Sequence, residues 1–412
     1  MTSPSTDNRH STFLPSTEPV PDDRARLPKL LVVVWALLVF NTLGSQGGDL
    51  IIPIPRSLVQ VATMGAGMLA FALALVLNRG LRIRPSAYVF LLTLLLAGAI
   101  AGSVPLTAGW GSAFRCFRFT VFVATLWLIT PWMPQALLLV RTHVRALVAV
   151  LVPVAVGLVV APGAALDANN DGRLSGTLWP ITAPQVGAYS AIVTGLVVLM
   201  WASRQTNGRS VGLLAAPAVL LLILSHTRTA MLGLAVGLVV AFLSLFLASN
   251  RARKTFTIGA GCLAIAAVPF GALIQTWALR GQDQEALSNL TGRTKVWDAL
   301  LAAPRTWFQE VFGTGLSNKS FNGLPIDSSW LAIYHEQGML GLTLVTLFLL
   351  TLVLVAISRP PSPARAYAIF LITYALVASY TEVGLGDASP YLLHLFVAAA
   401  LLSAVPQRTV QK

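Results

Sequence analysis

Apolar residues arrive in blocks of about 17 to 21 along almost the whole chain, separated by short polar connections. A helix rises about 1.5 Å per residue, so such a block crosses a hydrocarbon layer roughly 30 Å thick. Only 10% of the 412 residues are charged, against roughly 25% in a soluble domain, and a soluble globule is excluded. The sequence predicts an all-α, polytopic membrane protein. Its twelve expected spans lie near 30–45, 57–77, 86–103, 117–133, 146–162, 185–202, 211–225, 229–248, 256–277, 330–357, 366–381 and 390–405.

This division gives a disordered cytoplasmic tail over 1–28, one transmembrane domain over 29–405 and a short cytoplasmic tail over 406–412. The first block reads as a retained helix, because its long acidic leader and missing small-x-small site do not suit a cleaved signal. With the N-terminus inside, 18 of the 28 Lys and Arg residues fall on the cytoplasmic side, and 11 of the 15 acids fall outside. The net charge of +13 is therefore positive-inside bias, with both termini cytoplasmic, and is no argument for nucleic acid. Cys116 and Cys262 are too few for a disulfide framework or a thiolate metal site.

Function is expected on the outer face, where the connections are long. One runs from Gly163 to Pro184, and a second of 52 residues spans 278–329; loops beyond about 15 residues are usually functional or disordered. The second is rich in aromatic residues. Val296/Leu300 and Trp297/Leu301 recur at helical spacing before Pro304, which predicts an amphipathic helix of about four turns, and Trp307, Phe308, Val311 and Phe312 predict a shorter one. Their apolar faces are expected to rest on the membrane surface or the helix bundle.

The outer cations are Arg115 and Arg118 at the fourth span, Arg173 in the first long loop, Arg228 between spans seven and eight, and Arg293, Lys295, Arg305 and Lys319 in the second. A guanidinium donates two parallel hydrogen bonds and stays charged, which suits a diphosphate; lipid headgroups account for single interfacial cations equally well. Arg228 is the stronger candidate, because Ser225-His226-Thr227-Arg228-Thr229 is too short to leave the membrane surface. His226 titrates near neutrality and is either a base or a hydrogen-bonded structural group. The loop Asp167-Ala168-Asn169-Asn170-Asp171-Gly172 matches the first half of a calcium loop, but Leu178 stands where the bidentate Glu belongs, so it reads as a polar turn. No metal or other cofactor is expected.

Several outer segments together resemble the O-antigen ligase and O-antigen polymerase superfamily of envelope glycosyltransferases. They are Gly172-Arg173-Leu174-Ser175-Gly176-Thr177, then Ser225-His226-Thr227-Arg228-Thr229-Ala230, then Thr291-Gly292-Arg293-Thr294 with Trp297, Phe312-Gly313-Thr314-Gly315, Asp327-Ser328-Ser329-Trp330-Leu331 and Glu336-Gln337-Gly338-Met339-Leu340-Gly341. The resemblance covers roughly residues 165 to 360. It implies transfer of a glycan from an undecaprenyl-diphosphate-linked oligosaccharide to a saccharide acceptor, without a nucleotide sugar or a metal. Ligases of the superfamily carry a histidine where Asp327 stands, and that departure favours a polymerase or a different ligase.

On this reading Arg228, Arg293 and Arg173 stabilise the departing diphosphate, and Asp327 takes the proton of the attacking hydroxyl. Asp327 before an apolar run is equally a helix cap. Arg115, Arg118, His226, Lys295, Trp330 and Glu336 complete the expected substrate-binding set; Trp330 is a stacking surface or an ordinary interfacial aromatic, and Glu336 reads better as structural. Gly338 and Gly341 read as small residues that let helices approach. The rival classes are a transporter or flippase of a lipid-linked saccharide, which the nearly charge-free span centres disfavour, and a non-catalytic envelope scaffold.

Overall fold

The computed structural model describes residues 28–44, 50–103, 110–167, 171–246, 251, 253–258, 293–317 and 319–403. Helices α1 (Lys29–Asn41), α2 (Arg56–Leu77), α3 (Ala87–Ser103), α4 (Trp110–Ile129), α5 (Ala136–Val160) and α6 (Pro162–Ala165) are followed by α7 (Ala183–Ala202), α8 (Gly208–Leu224) and α9 (Arg228–Phe246). Then come α10 (Arg293–Ala302), α11 (Trp307–Phe312), strands β1 (Ser320–Phe321) and β2 (Leu324–Pro325), α12 (Ser329–Ser358), α13 (Pro363–Ala378) and α14 (Pro390–Ser403).

The protein is a helical membrane protein. Among the described residues, five helical stretches are long and apolar enough to cross a membrane: Arg56–Leu77, Trp110–Val160, Ala183–Ala202, Arg228–Phe246 and Ser329–Ser358. Five shorter apolar helices lie beside them. Residues 259–292, which hold most of the expected span at 256–277 and the segment Ala278 to Gly292, and most of both tails lie outside the described residues. One expectation is corrected. The connection expected around 134–145 is largely helical, because Thr130–Gln135, with Pro131 and Pro134, forms a tight 3-10 turn that leads straight into α5.

Contacts sort the connections to two ends of the bundle, as the alternation of spans requires. At one end Arg84 reaches the Ser403 carbonyl (3.4 Å), Asn78 the Leu128 carbonyl (2.9 Å) and Arg141 the Gln205 carbonyl (3.2 Å). At the other, the Ile51 amide bonds the Thr177 carbonyl, the Leu174 amide the Leu224 carbonyl and the Ser329 amide the Ser379 carbonyl, each at 2.9 to 3.0 Å. Every candidate residue discussed below belongs to this second end.

Two devices fix its geometry. Gly233 and Gly237, one turn apart on α9, receive the rings of Tyr374 and Phe370, one turn apart on α13; a Cβ at either glycine would meet a ring carbon at 2.8 or 2.9 Å. Lipid offers no hydrophobic drive for helix pairing, so this close interlocking supplies the packing. The second device is a break in α12 at Gly338 (φ 63°, ψ −161°), a backbone state that glycine adopts at little steric cost. It corrects the expectation that Gly338 merely lets helices approach, since a Cβ there would strike the Val311 carbonyl of α11 at 2.4 Å. The His335 and Glu336 carbonyls left without intrahelical donors by the break accept from the Thr314 and Gly315 amides (2.9 and 3.0 Å), which ties the Phe312-Gly313-Thr314-Gly315 strap to the helix.

Candidate functional site

Arg173 is delivered by a tight turn, in which Asp171 (φ 55°) and Gly172 (φ 64°) both take left-handed backbone. The Gly172 amide bonds back to the Asp167 carbonyl (3.0 Å); residues 168–170 of the segment read as a polar turn lie outside the described residues. The Arg173 guanidinium then lies 3.4 Å from the Ser225 carbonyl and 3.5 Å from Thr227 Oγ1. His226 (φ 48°) reverses the chain between α8 and α9, and Thr227 donates to the Ala183 carbonyl (3.1 Å). This holds Arg228 as the first residue of α9 beside Arg173. Non-glycine left-handed residues of this kind cost of order 1 kcal/mol or more and cluster at functional sites.

The long loop brings the third arginine. In α10 the residues Arg293 and Trp297 stand one turn apart on one face, and each grips the segment before α12. Trp297 Nε1 donates to the Ile326 carbonyl (2.7 Å), and Arg293 Nε donates to Asp327 Oδ2 (3.2 Å). On α10 only Leu300 is fully buried, against Ile326 of the loop and Ala332 of α12, while Leu301 is exposed. The intervening hairpin β1–β2 turns at Asn322-Gly323, both at positive φ, the pairing preferred for two-residue hairpins. Asp327 (φ 44°) is not a helix cap. Ser328 occupies the N-cap of α12 and makes no side-chain cap bond, while the Asp327 carboxylate is engaged by Arg293.

One residue of this cluster escaped the sequence reading. Glu382, between α13 and α14, interacts electrostatically with Arg293, Asp327 and Arg173. Three of the motif segments hold the stretch from Tyr380 to Glu382. Ser329 Oγ donates to the Glu382 carbonyl (2.7 Å), Thr229 and Thr381 share a 2.6 Å hydroxyl bond, and Trp297 meets Tyr380 edge to face at 5.7 Å. Burial raises the Glu382 carboxyl, Asp327 adds to the effect, and Arg293 and Arg173 only partly offset it, so it is pushed up to about 7. Burial also lowers the Arg173 guanidinium, with Glu382 and Asp171 opposing and Arg293 and Arg228 adding to the shift. Arg173, Arg228, Arg293, Asp327 and Glu382 thus share one electrostatic environment, although they come from five separate stretches of chain.

Arg115 and Arg118 do not join it, which corrects the expectation of one arginine-lined site. Arg115 Nη1 lies 3.7 Å from both Glu336 and Asp387, and Lys319 Nζ lies 2.7 Å from Asp387. Arg118 donates to the Asn41 carbonyl. Burial favours protonation of Asp387, but Lys319 and Arg115 outweigh it and hold the carboxyl below its ordinary range. Glu336 Oε1 accepts from the Ser317 amide and hydroxyl (2.9 Å each) and the Lys319 amide (3.1 Å). This group is a clasp that fastens the strap at 313–319 to the bundle, which agrees with the structural reading of Glu336.

Three further candidates are placed individually. Trp330 donates its indole N–H to Ser379 Oγ (3.0 Å) and joins α12 to the end of α13, so it is a structural residue and not an open stacking surface. Lys295 is exposed on α10, and His226 is half-buried in its turn. Arg305 lies over the Tyr334 ring at 4.2 Å and bonds the Tyr334 carbonyl. Among the described residues, no group of three or more His, Cys, Asp or Glu side chains could hold a metal ion.

No family model and none of the curated proteins matches the sequence.

Proposed function

We propose that the protein is a glycosyltransferase of the outer face of the cytoplasmic membrane, with twelve spans and both termini inside. It transfers a glycan from an undecaprenyl-diphosphate-linked oligosaccharide to a saccharide or lipid-saccharide acceptor, as a polysaccharide polymerase or ligase. The observation that carries this reading is the gathering of Arg173, Arg228 and Arg293 around two carboxylates. A diphosphate brings its negative charge into that field, and preorganised guanidinium groups stabilise the further charge that develops as the glycosidic bond breaks. The carboxylates supply proton acceptors for the incoming hydroxyl, and no metal is required.

The test is to supply the purified protein with a lipid-diphosphate-linked repeat unit. A ladder of products marks a polymerase, and a single shifted band that depends on added acceptor marks a ligase. Arg228→Lys with Arg293→Lys keeps the charge but removes the bidentate fork, and is expected to lower turnover by at least about tenfold while the protein stays folded. Equal turnover would defeat the reading.

A flippase is the second reading. Inside the bundle, Trp35 Nε1 donates to His143 Nδ1 (3.1 Å) and His143 Nε2 meets His394 Nδ1 (2.8 Å), all three fully buried, and ionisable groups at such depth are often part of a transport path. Movement of the lipid-linked oligosaccharide across vesicles, without chain growth, would favour it.

A further inference from the structure

We infer that Glu382, not Asp327, is the catalytic residue that takes the proton of the attacking sugar hydroxyl, and that Asp327 is a positioning residue that aims Arg293. The inference rests on the glycosyltransferase reading above. The two carboxylates differ in their surroundings. Asp327 Oδ2 accepts from Arg293 Nε at 3.2 Å, so this carboxylate is committed to orienting the guanidinium. It also sits on left-handed backbone at the foot of a hairpin, gripped through its neighbour Ile326 by Trp297. Everything about that segment fixes the direction of the Arg293 fork.

Glu382 is held differently. Its backbone is anchored by Ser329 and, through Thr381, by Thr229, the residue after Arg228. Its carboxyl interacts electrostatically with Arg173 of the first long loop, Arg293 of α10 and Asp327 at the hairpin foot, and with Tyr374 of α13 and Tyr391 of α14. The guanidinium groups that would hold a diphosphate thus share their field with this second carboxylate. Its raised proton affinity, to about 7, matches the requirement that a base be poised near the working pH.

The step balances. The acceptor hydroxyl oxygen forms a bond to the anomeric carbon as that carbon's bond to the diphosphate oxygen breaks, and the electron pair leaves with the diphosphate. The hydroxyl proton passes to the Glu382 carboxylate and then to solvent.

The experiment measures kcat/KM against pH for the full-length protein in detergent with a lipid-diphosphate-linked oligosaccharide as probe. The parent is expected to lose activity on an acid limb centred near about pH 7. Glu382→Gln should fall by roughly 10²-fold or more and lose the limb, and Glu382→Asp should keep a displaced limb at a lower rate. Asp327→Asn should keep the parent's limb while its KM for the donor rises. Loss of the limb in Asp327→Asn, or parent-like turnover in Glu382→Gln, would overturn the assignment and leave the transferase reading standing. If Glu382→Gln does not fold, the displaced limb of Glu382→Asp against the unmoved limb of Asp327→Asn decides the matter. A folded parent that transfers nothing at any pH overturns the transferase reading, and the inference falls with it.

Discussion

Replacing Glu336 by Leu removes the acceptor on which three donors of the strap converge. The Ser317 amide, the Ser317 hydroxyl and the Lys319 amide lose their partner together, and Arg115 loses one of its two carboxylates. Hydrogen bonds to a charged group contribute about 1.5–3 kcal/mol each, which puts the upper bound near 9 kcal/mol. Ser317 and Lys319 are half-buried and regain water once the strap lifts, so the net loss is about 3 kcal/mol, at the low end of the range for breaking one member of a buried pair. The loss is local, because the helix packing below does not depend on it. At 1.4 kcal/mol per decade, the lifted state becomes about 10²-fold more populated. Trypsin reads that population directly at the Lys319–Ser320 bond, since cleavage of a transiently opened segment follows the open fraction when closing is fast. We expect the fragment beginning at Ser320 to form about 10²-fold faster in Glu336→Leu and about tenfold faster in Glu336→Gln, which retains one acceptor oxygen. Cleavage of Glu336→Leu at the parent's rate would refute the clasp.

A cysteine in place of Leu324, exposed at the hairpin, should react with an impermeant thiol reagent in intact cells, and one in place of Ser358 should react only after permeabilisation; the reverse pattern inverts the topology. Turnover should survive exhaustive chelation, since arginines supply the positive charge, and loss with EDTA restored by Mg²⁺ or Mn²⁺ would contradict that. Glu382 makes stability depend on pH with a definite sign: its carboxyl is raised from 4.5 to about 7 in the folded protein, so the fold gains from protonation below about 7 and loses as pH rises from 4.5 to 7. The melting temperature of Glu382→Gln should therefore gain on the parent across that interval and hold its lead above it, and a pH-independent difference would show that Glu382 is not buried in the arginine field.

Much of this was legible in the chain because membrane segments obey length and apolarity, which single residues cannot conceal. The helices at Arg56–Leu77, Ala183–Ala202 and Arg228–Phe246 fall where the apolar blocks place them, and Pro304 ends α10 region as expected, with Thr306 then capping α11 through a reciprocal bond with Gln309. Arg173, Arg228 and Arg293 were readable as a set because each is a cation on an outer connection, Arg228 in the shortest of them. Glu382 carried the same signal, an acid in a short connection between two apolar blocks, and the argument applied to Arg228 extends to it unchanged. The Asn322-Gly323 hairpin was likewise written in the sequence. What no spacing reveals is partnership. Arg115 and Arg118 have the composition of phosphate ligands, but Asp387, some 270 residues away in the chain, takes Arg115 for the clasp instead.

The interlocking of α9 with α13 has a bearing on the site that its distance conceals. Arg228 opens α9, and Glu382 follows the end of α13, so the spacing of these two residues is set where Gly233 and Gly237 nest on Tyr374 and Phe370. Arg293 and Asp327 ride on the long loop. The site is thus a vice with a fixed jaw cut from the packed apolar helices α9 and α13 and a second jaw carried by the long loop. A methyl group added at Gly237, about 14 Å along the helix from Arg228 at 1.5 Å per residue, would push the fixed jaw out of true without touching any residue that meets substrate.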